Sequence, residues 1–381
     1  MRQQLKLRLD GKTLEVPKGT RFLELAKQFS SGYTSPILLV TLNGILHELG
    51  TTVEEEGELR CLTIRDKAGY QSYERSAILL LLAAYHKLYG EKGAAVWIDY
   101  KESGALRCRI AGRQAVTEAE LARLEAEMRV LAAAALPIEK RSVPTREAVR
   151  LFAARGMQDK AELLRFRIYS SVNLYRLGEY EDYFYGYMLP NSSYLKTFSL
   201  ETYEDGFVLK LPDRRKPETL MSFQPTQKIF EAMESSRLNL ERQGIETVGA
   251  LNARAAAGKM KELILCAEAQ MEKRIGDLAE KICSRDEVRI VLIAGPSSSG
   301  KTTFARRLAT QVLALGKTPH AIEVDNYFKN RSDTPRDEKG NYDFESLAAL
   351  DVDGFNRDLN RLLNGERIEL PRFDFISGER N

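Results

Sequence analysis

The sequence predicts a multidomain protein with an α+β front half, a helical middle and an α/β end built on a parallel sheet. Three observations support this. The chain has 381 residues, more than one ordinary core holds, so two to four domains are expected. Its first residues form two alternating apolar runs joined by a turn. Near its end, a glycine-bounded loop lies between an apolar run and a helical pattern.

Composition excludes several classes of protein. The chain is 43% hydrophobic and 29% charged, as in soluble globular proteins, and its net charge of +3 comes without a block of Lys or Arg. Composition alone therefore does not indicate nucleic acid or an anionic membrane as a partner. The longest apolar run, Ala77–Tyr85, is too short to span a bilayer, and no signal region opens the chain. Four widely spaced cysteines favour free thiols in a reducing compartment, so we expect a cytoplasmic protein.

Residues 1–64 are predicted to form a small β-rich module. Asp10-Gly11 is a hairpin turn signal, and Thr20 is placed to begin a short helix. The predicted strands are Leu5–Leu9, Thr13–Val16, Ile37–Leu42 and Leu59–Ile64. Hairpin, helix and further strands follow the β-grasp order, and the stretch resembles a TGS domain. Another small α+β module is the alternative.

Residues 65–216 are predicted to mix helices and strands. Helical patterns cover Ser76–Leu88, Glu118–Ala135 and Pro144–Ala154. The segments 118–144, 181–191 and 195–198 together resemble the second additional domain of threonyl-tRNA synthetase. That resemblance implies an editing domain that hydrolyses mischarged tRNA.

The editing residues of that family are replaced in this chain. The resemblance implies a His-x-x-x-His helix and a later Cys-x-x-x-His, but these positions hold Arg75, Leu79, Phe184 and Met188. Leu and Phe cannot bind a metal, and neither Met nor Arg is a usable hydrolytic base. We therefore expect a scaffold or sensor without editing activity.

The same region is aromatic and mildly basic, which suits RNA, while tyrosines packed on a sheet are the other explanation. The residues concerned are Arg165, Arg167, Tyr169, Tyr175, Tyr183, Tyr185 and Tyr187.

Residues 217–286 follow as a predicted helical connector. Apolar residues at three- and four-residue spacing indicate helices over Thr226–Gln243, Thr247–Ala257 and Lys259–Cys283.

The last predicted domain, residues 287–381, opens on a nucleotide-binding loop. A predicted strand, Arg289–Ala294, leads into the loop, and a predicted helix, Phe304–Leu315, follows it. The loop comprises Gly295, Pro296, Ser297, Ser298, Ser299, Gly300, Lys301, Thr302 and Thr303, the Walker A pattern. Lys301 is predicted to reach the β- and γ-phosphates and Thr302 to bind Mg²⁺. A serine-rich turn between a strand and a helix is the alternative.

A second predicted strand, Ala321–Val324, ends at Asp325. Ligands of doubly wound sheets bind beyond the carboxyl ends of the strands, so Asp325 is expected to face the γ-phosphate. An aspartate that caps the following turn is the alternative.

Three short motifs then point to one kind of phosphoryl transfer. The motifs 324–328, 341–344 and 370–375 resemble, in order and spacing, the uridine kinase/phosphoribulokinase family. The resemblance implies that Asp325 is the catalytic base and that Asp343 holds ribose hydroxyls. It also places Tyr327, Tyr342, Phe373 and Phe375 among the substrate-binding residues, the last three around a nucleobase. Carboxylates accept hydroxyl protons and aromatic faces stack on bases, so these roles are chemically sensible.

The chain departs from that family twice. Gly378 stands where nucleoside-specific members have a pyrimidine-reading histidine, which leaves the base preference open. About eighty residues follow Lys301, fewer than a kinase domain usually has. This favours a domain that is incomplete at its C-terminus and turns over slowly or not at all.

The sequence is compatible with three functions. The first is phosphorylation of a nucleoside of the uridine or cytidine kind, or of a similar ribose-bearing hydroxyl compound, with ATP and Mg²⁺ as cofactors. For this function we expect no membrane association, and a homo-oligomer is compatible with it. The second is a nucleotide-gated sensor whose synthetase-like half binds tRNA or other RNA. The third is a GTPase: Asp351–Gly354 fits Asp-x-x-Gly, but no guanine-reading Asn-Lys-x-Asp exists, and Leu347–Leu363 has the pattern of an amphipathic helix.

Overall fold

The computed structural model describes residues 3–90, 93–113, 115–296 and 298–381. The chain divides into two compact units, Met1–Ala257 and Gly258–Asn381. None of the helices in the described residues is long and apolar enough to cross a membrane.

The first unit begins with a five-stranded sheet and one helix. Its elements are β1 (Gln4–Leu9), β2 (Lys12–Pro17), α1 (Phe22–Phe29), β3 (Ile37–Leu42), β4 (Ile45–Glu48) and β5 (Gly57–Thr63). The strand order is β2-β1-β5-β3-β4, and only the central pair β1–β5 is parallel. Asp10 and Gly11 both have positive φ, the conformation of a two-residue hairpin turn. The hairpin, helix and strands predicted here are confirmed. Thr20 does not cap the helix, however, because Arg21 precedes α1 and the Thr20 hydroxyl donates to the Pro17 carbonyl at 2.7 Å.

A helical layer packs on two antiparallel sheets in the rest of this unit. The elements in chain order are α2 (Lys67–Tyr89), β6 (Val96–Glu102), β7 (Ala105–Ile110), α3 (Glu118–Ala133), β8 (Ile138–Pro144), α4 (Thr145–Ala154), α5 (Gln158–Arg165), β9 (Ser171–Leu177), β10 (Tyr180–Tyr183), β11 (Ser199–Tyr203) and β12 (Gly206–Lys210). The sheets have the orders β10-β9-β8 and β11-β12-β7-β6. Leu79 and Leu80 of α2 are fully buried with Met128 of α3 and Phe207 of β12 in one core.

A buried carboxylate joins the five-stranded sheet to this second region. Glu48, the last residue of β4, accepts hydrogen bonds from the Tyr175 hydroxyl at 2.7 Å and the Met188 amide at 2.9 Å. Lys140 Nζ lies 3.1 Å from its other oxygen. Burial, with Glu48 alongside, raises the pKa of Tyr175. The three donors come from different segments, so one side chain ties them together.

Three helices follow where the sequence predicts them. They are α6 (Gln227–Arg242) and α7 (Val248–Ala256) in the first unit and α8 (Met260–Cys283) in the second. The second unit continues with α9 (Lys301–Ala314), α10 (Val352–Leu363) and a short hairpin, β13 (Phe373–Asp374) and β14 (Glu379–Arg380). Ile275 and Ala279 of α8 are buried against Leu308 of α9.

The predicted parallel sheet is wrong for the described part of the second unit. Arg289–Ala294 has no regular structure, and Leu292 is 83% exposed rather than buried. Residues 321–323 are also irregular, and a 3₁₀ turn covers Val324–Tyr327. A parallel strand needs a bonded neighbour and cover on both faces. Neither segment has such a neighbour in the residues described, so the apolar pattern alone does not produce a strand.

Candidate active site

The glycine-bounded loop curls into the first turn of α9. Ser298 and Gly300 have positive φ values of 60° and 82°, and the Ser299 amide donates to the Pro296 carbonyl at 3.3 Å. A Cβ on Gly295 would lie 2.7 Å from Ser299 Oγ, so a side chain at this position would require the Ser299 hydroxyl to move. Ser297, also predicted to bind nucleotide, lies outside the described residues. Successive amides in such a turn form a concave site for an anion.

Lys301, Thr302 and Thr303 occupy the start of α9. Lys301 Nζ donates to the carbonyls of Gly295 and Pro296, both at 2.9 Å. The two threonines are exposed, and Gly300 offers no side chain to cap the helix. The helix start therefore presents amides and partial positive charge to any phosphate in the loop. These residues fit a triphosphate, and the Thr302 hydroxyl is accessible to Mg²⁺.

Asp325 lies in the 3₁₀ turn over Val324–Tyr327 and is exposed. That turn is closed by main-chain bonds, such as the one from the Asn326 amide to the Glu323 carbonyl at 3.1 Å. Within the described part of the chain, the Asp325 carboxylate makes no hydrogen bond that holds the turn. The capping explanation is therefore not what the structure shows, and the carboxylate remains accessible to a ligand.

Tyr327 is a correction to the predicted substrate-binding set. Its side chain is 2% exposed, its hydroxyl donates to Asp358 at 3.1 Å, and its ring meets Phe355 edge-on at 5.1 Å. Burial, together with Asp358, raises the pKa of Tyr327 to about 12. A tyrosine in the core and bonded to α10 cannot also contact a substrate, so its role here is packing.

The three kinase-like motifs meet in one aromatic cluster centred on Phe328. Its ring centroid lies 5.6 Å from Phe373 and 6.3 Å from both Phe344 and Phe375. Phe373 is buried, whereas Phe375 is 60% exposed. The Phe373 amide donates to Asn326 Oδ1 at 3.2 Å, which fixes the last motif to the first. Sequence reasoning missed Phe328 and Phe344, although both lie inside the motifs.

Tyr342 and Asp343 lie on a tight turn next to this cluster. The Arg336 guanidinium covers the Tyr342 ring at 4.2 Å, so one face of that ring is already occupied. The Asp343 amide donates to the Pro335 carbonyl at 2.8 Å, and its carboxylate accepts from the Glu345 amide at 3.1 Å. Asp343 is half-buried, and this local bond orients its carboxylate.

The Asp-x-x-Gly match is the start of a helix. Asp351 precedes α10, and its carboxylate accepts from the Gly354 amide at 2.9 Å and pairs with Arg380 at 2.9 Å. The Gly354 amide, then Arg380, hold the pKa of Asp351 below its usual range. Asp351 and Gly354, which a GTPase would use in its Asp-x-x-Gly motif, thus form the N-cap of α10 in this structure.

The glycine-bounded loop and the meeting of the three motifs together indicate a P-loop phosphotransferase. Residues 290–381 match the phosphoribulokinase/uridine kinase family. This match supports a kinase-like enzyme in general. The exposed Walker A loop, Asp325 and the aromatic cluster all lie within or beside the matched segment.

The N-terminal half is similar to a different group of proteins. It is 27% identical over 191 residues to a threonine–tRNA ligase of Francisella tularensis subsp. novicida. The matched residues make up 50% of this chain and 30% of that relative. The threonine–tRNA ligase of Carboxydothermus hydrogenoformans is 28% identical over 187 residues, 49% of this chain and 29% of the relative. The chain thus spans less than a third of the length of these curated relatives.

The four positions predicted to replace editing residues lie on two segments that meet in the structure. Arg75 of α2 donates through Nε to the Tyr187 carbonyl at 3.1 Å, and burial lowers its pKa. Leu79 and Met188 are buried in the core, with Phe184 packed against it. The structure thus brings the two segments together, while the expected loss of editing remains a prediction.

The tyrosines of this region differ in their surroundings. Tyr175 is buried on Glu48, as the packing explanation requires. Tyr169 and Tyr185 are 64% and 80% exposed, and the Arg167 guanidinium lies 5.1 Å from the Tyr169 ring. Packing therefore does not account for all of them.

Proposed function

We propose that the protein phosphorylates a hydroxyl group of a nucleoside or a similar ribose-bearing compound, with ATP and Mg²⁺. The observation that carries this proposal is that three separate motifs meet around Phe328, in the same unit as the Walker A loop. The family match of residues 290–381 supports a kinase, and the exposed aromatic and carboxylate groups favour an acceptor with a ring and hydroxyls.

The residues have distinct roles in this proposal. The loop amides and the start of α9 bind the phosphates, and Lys301 leaves the loop carbonyls to neutralise their charge. Bound ATP supplies the phosphoryl group, and Thr302 helps hold Mg²⁺. Asp325 accepts the proton of the attacking hydroxyl, and Asp343 bonds the neighbouring hydroxyls. The rings of Phe373 and Phe375 pack edge-on with their centroids 5.1 Å apart. The exposed Phe375 ring stacks on the base.

ADP formation and acceptor phosphorylation over a panel of nucleosides test this assignment. We expect Lys301→Ala and Asp325→Asn each to lower kcat at least about a hundredfold, because each removes a charge used in the transition state. Lys317→Ala, at an exposed lysine after α9, is the matched control and should be near wild type. ATP turnover that needs no acceptor and survives Asp325→Asn would contradict the kinase.

A second candidate is RNA binding by the first unit, gated by nucleotide. It is favoured by exposed Tyr169 and Tyr185, by Arg167 stacked on Tyr169, and by the similarity to threonine–tRNA ligases. We further propose that residues 1–64 are a TGS-like β-grasp module and residues 65–216 an editing-like domain without editing activity. These boundaries are predictions.

A tRNA gel shift with and without ATP tests the second candidate. Stacking on an aromatic ring contributes about 1–3 kcal/mol per base, so the double variant Tyr169→Ala/Tyr185→Ala should bind at least about tenfold more weakly. Tyr33→Ala, in the five-stranded module, is the control. Absence of a shift in both nucleotide states would remove this function.

A further inference from the structure

A cavity of about 400 Å³ lies in the first unit, between strands β6 and β7 and helices α5, α6 and α7. Small-molecule sites usually measure about 300–1,000 Å³, so its size fits a small ligand. Gly249 lets α7 pack directly on α5, because a Cβ there would lie 2.7 Å from the Leu163 main-chain nitrogen. Phe230 of α6 packs edge-on against Tyr203 of β11, with the ring centroids 5.6 Å apart. The cavity is therefore built into the packing of this unit.

Apolar and aromatic side chains line the cavity without filling it. Met233 and Leu240 of α6 line it and each remain 40% exposed. Trp97 of β6, the single tryptophan of the sequence, also lines it, with the Arg109 guanidinium 5.2 Å from its ring. The Tyr100 hydroxyl is buried at the same wall and has no hydrogen-bond partner among the described residues. A ligand with both an apolar body and a polar group would complement this wall.

The charges on the cavity wall determine the sign of the ligand. Four cations line the cavity, and each already pairs with a carboxylate. They are Arg107, Arg109, Lys160 and Arg237. Two lining carboxylates, Asp159 of α5 and Glu246 just before α7, make no ion pair in the part of the chain that the structure describes. An anion would therefore have to break an existing ion pair, whereas a cation would neutralise a free carboxylate.

The low polarity of the wall strengthens such a pairing. Burial raises the pKa of Asp99, although Arg109 donates to its carboxylate at 3.1 Å. A carboxylate whose charged form is disfavoured indicates a poorly hydrated wall, and opposite charges attract more strongly where water is excluded. The rings of Trp97 and Phe230, which both line the cavity, also attract cations through their faces.

We propose that this cavity binds a small organic amine in its protonated form. The ammonium group pairs with Asp159, which is half-buried, and the exposed Glu246 adds to the negative potential. The apolar body of the amine packs on Met233 and Leu240. The cavity belongs to the first unit and the Walker A loop to the second, so amine binding does not require the protein to be a kinase.

Trp97 makes binding directly measurable in the full chain. Its fluorescence is titrated at pH 7 with 2-phenylethylamine, with the neutral isostere 2-phenylethanol and with 3-phenylpropionate, an anion of similar size. We expect a saturable change with the amine, at an affinity at least about tenfold above that of the alcohol, because a charge-assisted contact is gained. Hexylamine and spermidine extend the titration to aliphatic amines. Calorimetry detects any binding that leaves the fluorescence unchanged.

Three variants locate the site. Asp159→Asn should weaken amine binding at least about tenfold and leave binding of the alcohol unchanged, because only a charge is removed. Glu246→Gln, at an exposed position, should weaken it about threefold. Tyr100→Phe should weaken it about threefold and not lower the unfolding temperature, because the hydroxyl has no partner among the described residues. Glu15→Gln, at an exposed carboxylate of β2, is the matched control and should bind like wild type.

Three results would contradict an amine site in this cavity. The first is no saturable response to any of the three amines by either method, and the second is equal affinity for the amine and the alcohol. The third is amine binding that Asp159→Asn and Glu246→Gln leave unchanged. If Asp159→Asn unfolds at a lower temperature than wild type, the exposed Glu246→Gln decides the location. Weaker amine binding in the carboxylate variants, with wild-type binding in the control, supports the site.

Discussion

Single residues in the second unit have roles that depend on contacts far along the chain. Tyr327 sits in a motif that suggests substrate binding, yet its hydroxyl bonds Asp358, 31 residues later. Because the two residues are so far apart in the sequence, no local sequence pattern predicts this hydrogen bond. Asp351 illustrates the opposite case, since a capping aspartate three residues before a glycine amide is a local signal.

The Asp351 cap gives a prediction on α10. Asp351→Ala removes the bond to the Gly354 amide and the ion pair with Arg380, so α10 should lose about 1 kcal/mol of local stability. Because the pKa of Asp351 is lowered in the folded state, its contribution is present above the unfolded pKa of about 3.9 and is lost as pH falls below it. Hydrogen exchange of α10 amides at neutral and acid pH measures both effects.

Asp351→Asn is the matched variant for this cap. Asparagine still accepts from the Gly354 amide but carries no charge, so it should keep most of the stability and lose the acid sensitivity. Equal exchange rates in all three proteins would show that the cap does not hold α10.

At the scale of elements, prediction succeeds where the signal is local. Asp10-Gly11 fixes its hairpin, and three- and four-residue spacing finds α6, α7 and α8. The strand β4 was missed, although Asn43 and Gly44 supply the same positive-φ turn signal. The segment Arg289–Ala294 has the composition of a strand, but strand formation depends on distant partners that composition does not contain. The aromatic cluster was predicted only in part. The family resemblance indicated Phe373 and Phe375 but not Phe328, on which both rings pack.

Helix α2 provides a stability prediction for an element. Leu79 is fully buried in the largest core, so Leu79→Ala should cost about 3 kcal/mol through lost contacts and the cavity left behind. Leu79→Met, which keeps the volume, should cost much less. Urea unfolding followed by circular dichroism measures both. A Leu79→Ala protein as stable as Leu79→Met would mean that this core is not tightly packed.

At the scale of the molecule, the hydrophobic cores formed by the described residues each lie within one unit. The clusters that contain Leu7, Leu79 and Phe152 lie between residues 1 and 257, and the one around Leu308 lies after residue 258. We therefore expect residues 1–257, produced alone, to unfold cooperatively. Thermal circular dichroism checks this, and a gradual, featureless melt would contradict it.

The position of Glu48 has a consequence for dividing the chain. A shortened protein that begins at residue 65 would keep Tyr175, Met188 and Lys140 but lose their common acceptor. The Met188 amide and the Lys140 ammonium would then lose their carboxylate partner, whereas the Tyr175 hydroxyl would keep the Gly186 carbonyl at 2.9 Å. Each hydrogen bond lost costs about 0.5–1.5 kcal/mol. The predicted boundary near residue 64 therefore separates Glu48 from its hydrogen-bond partners. A truncated protein is expected to be more stable if it keeps the five-stranded sheet together with the region that follows it.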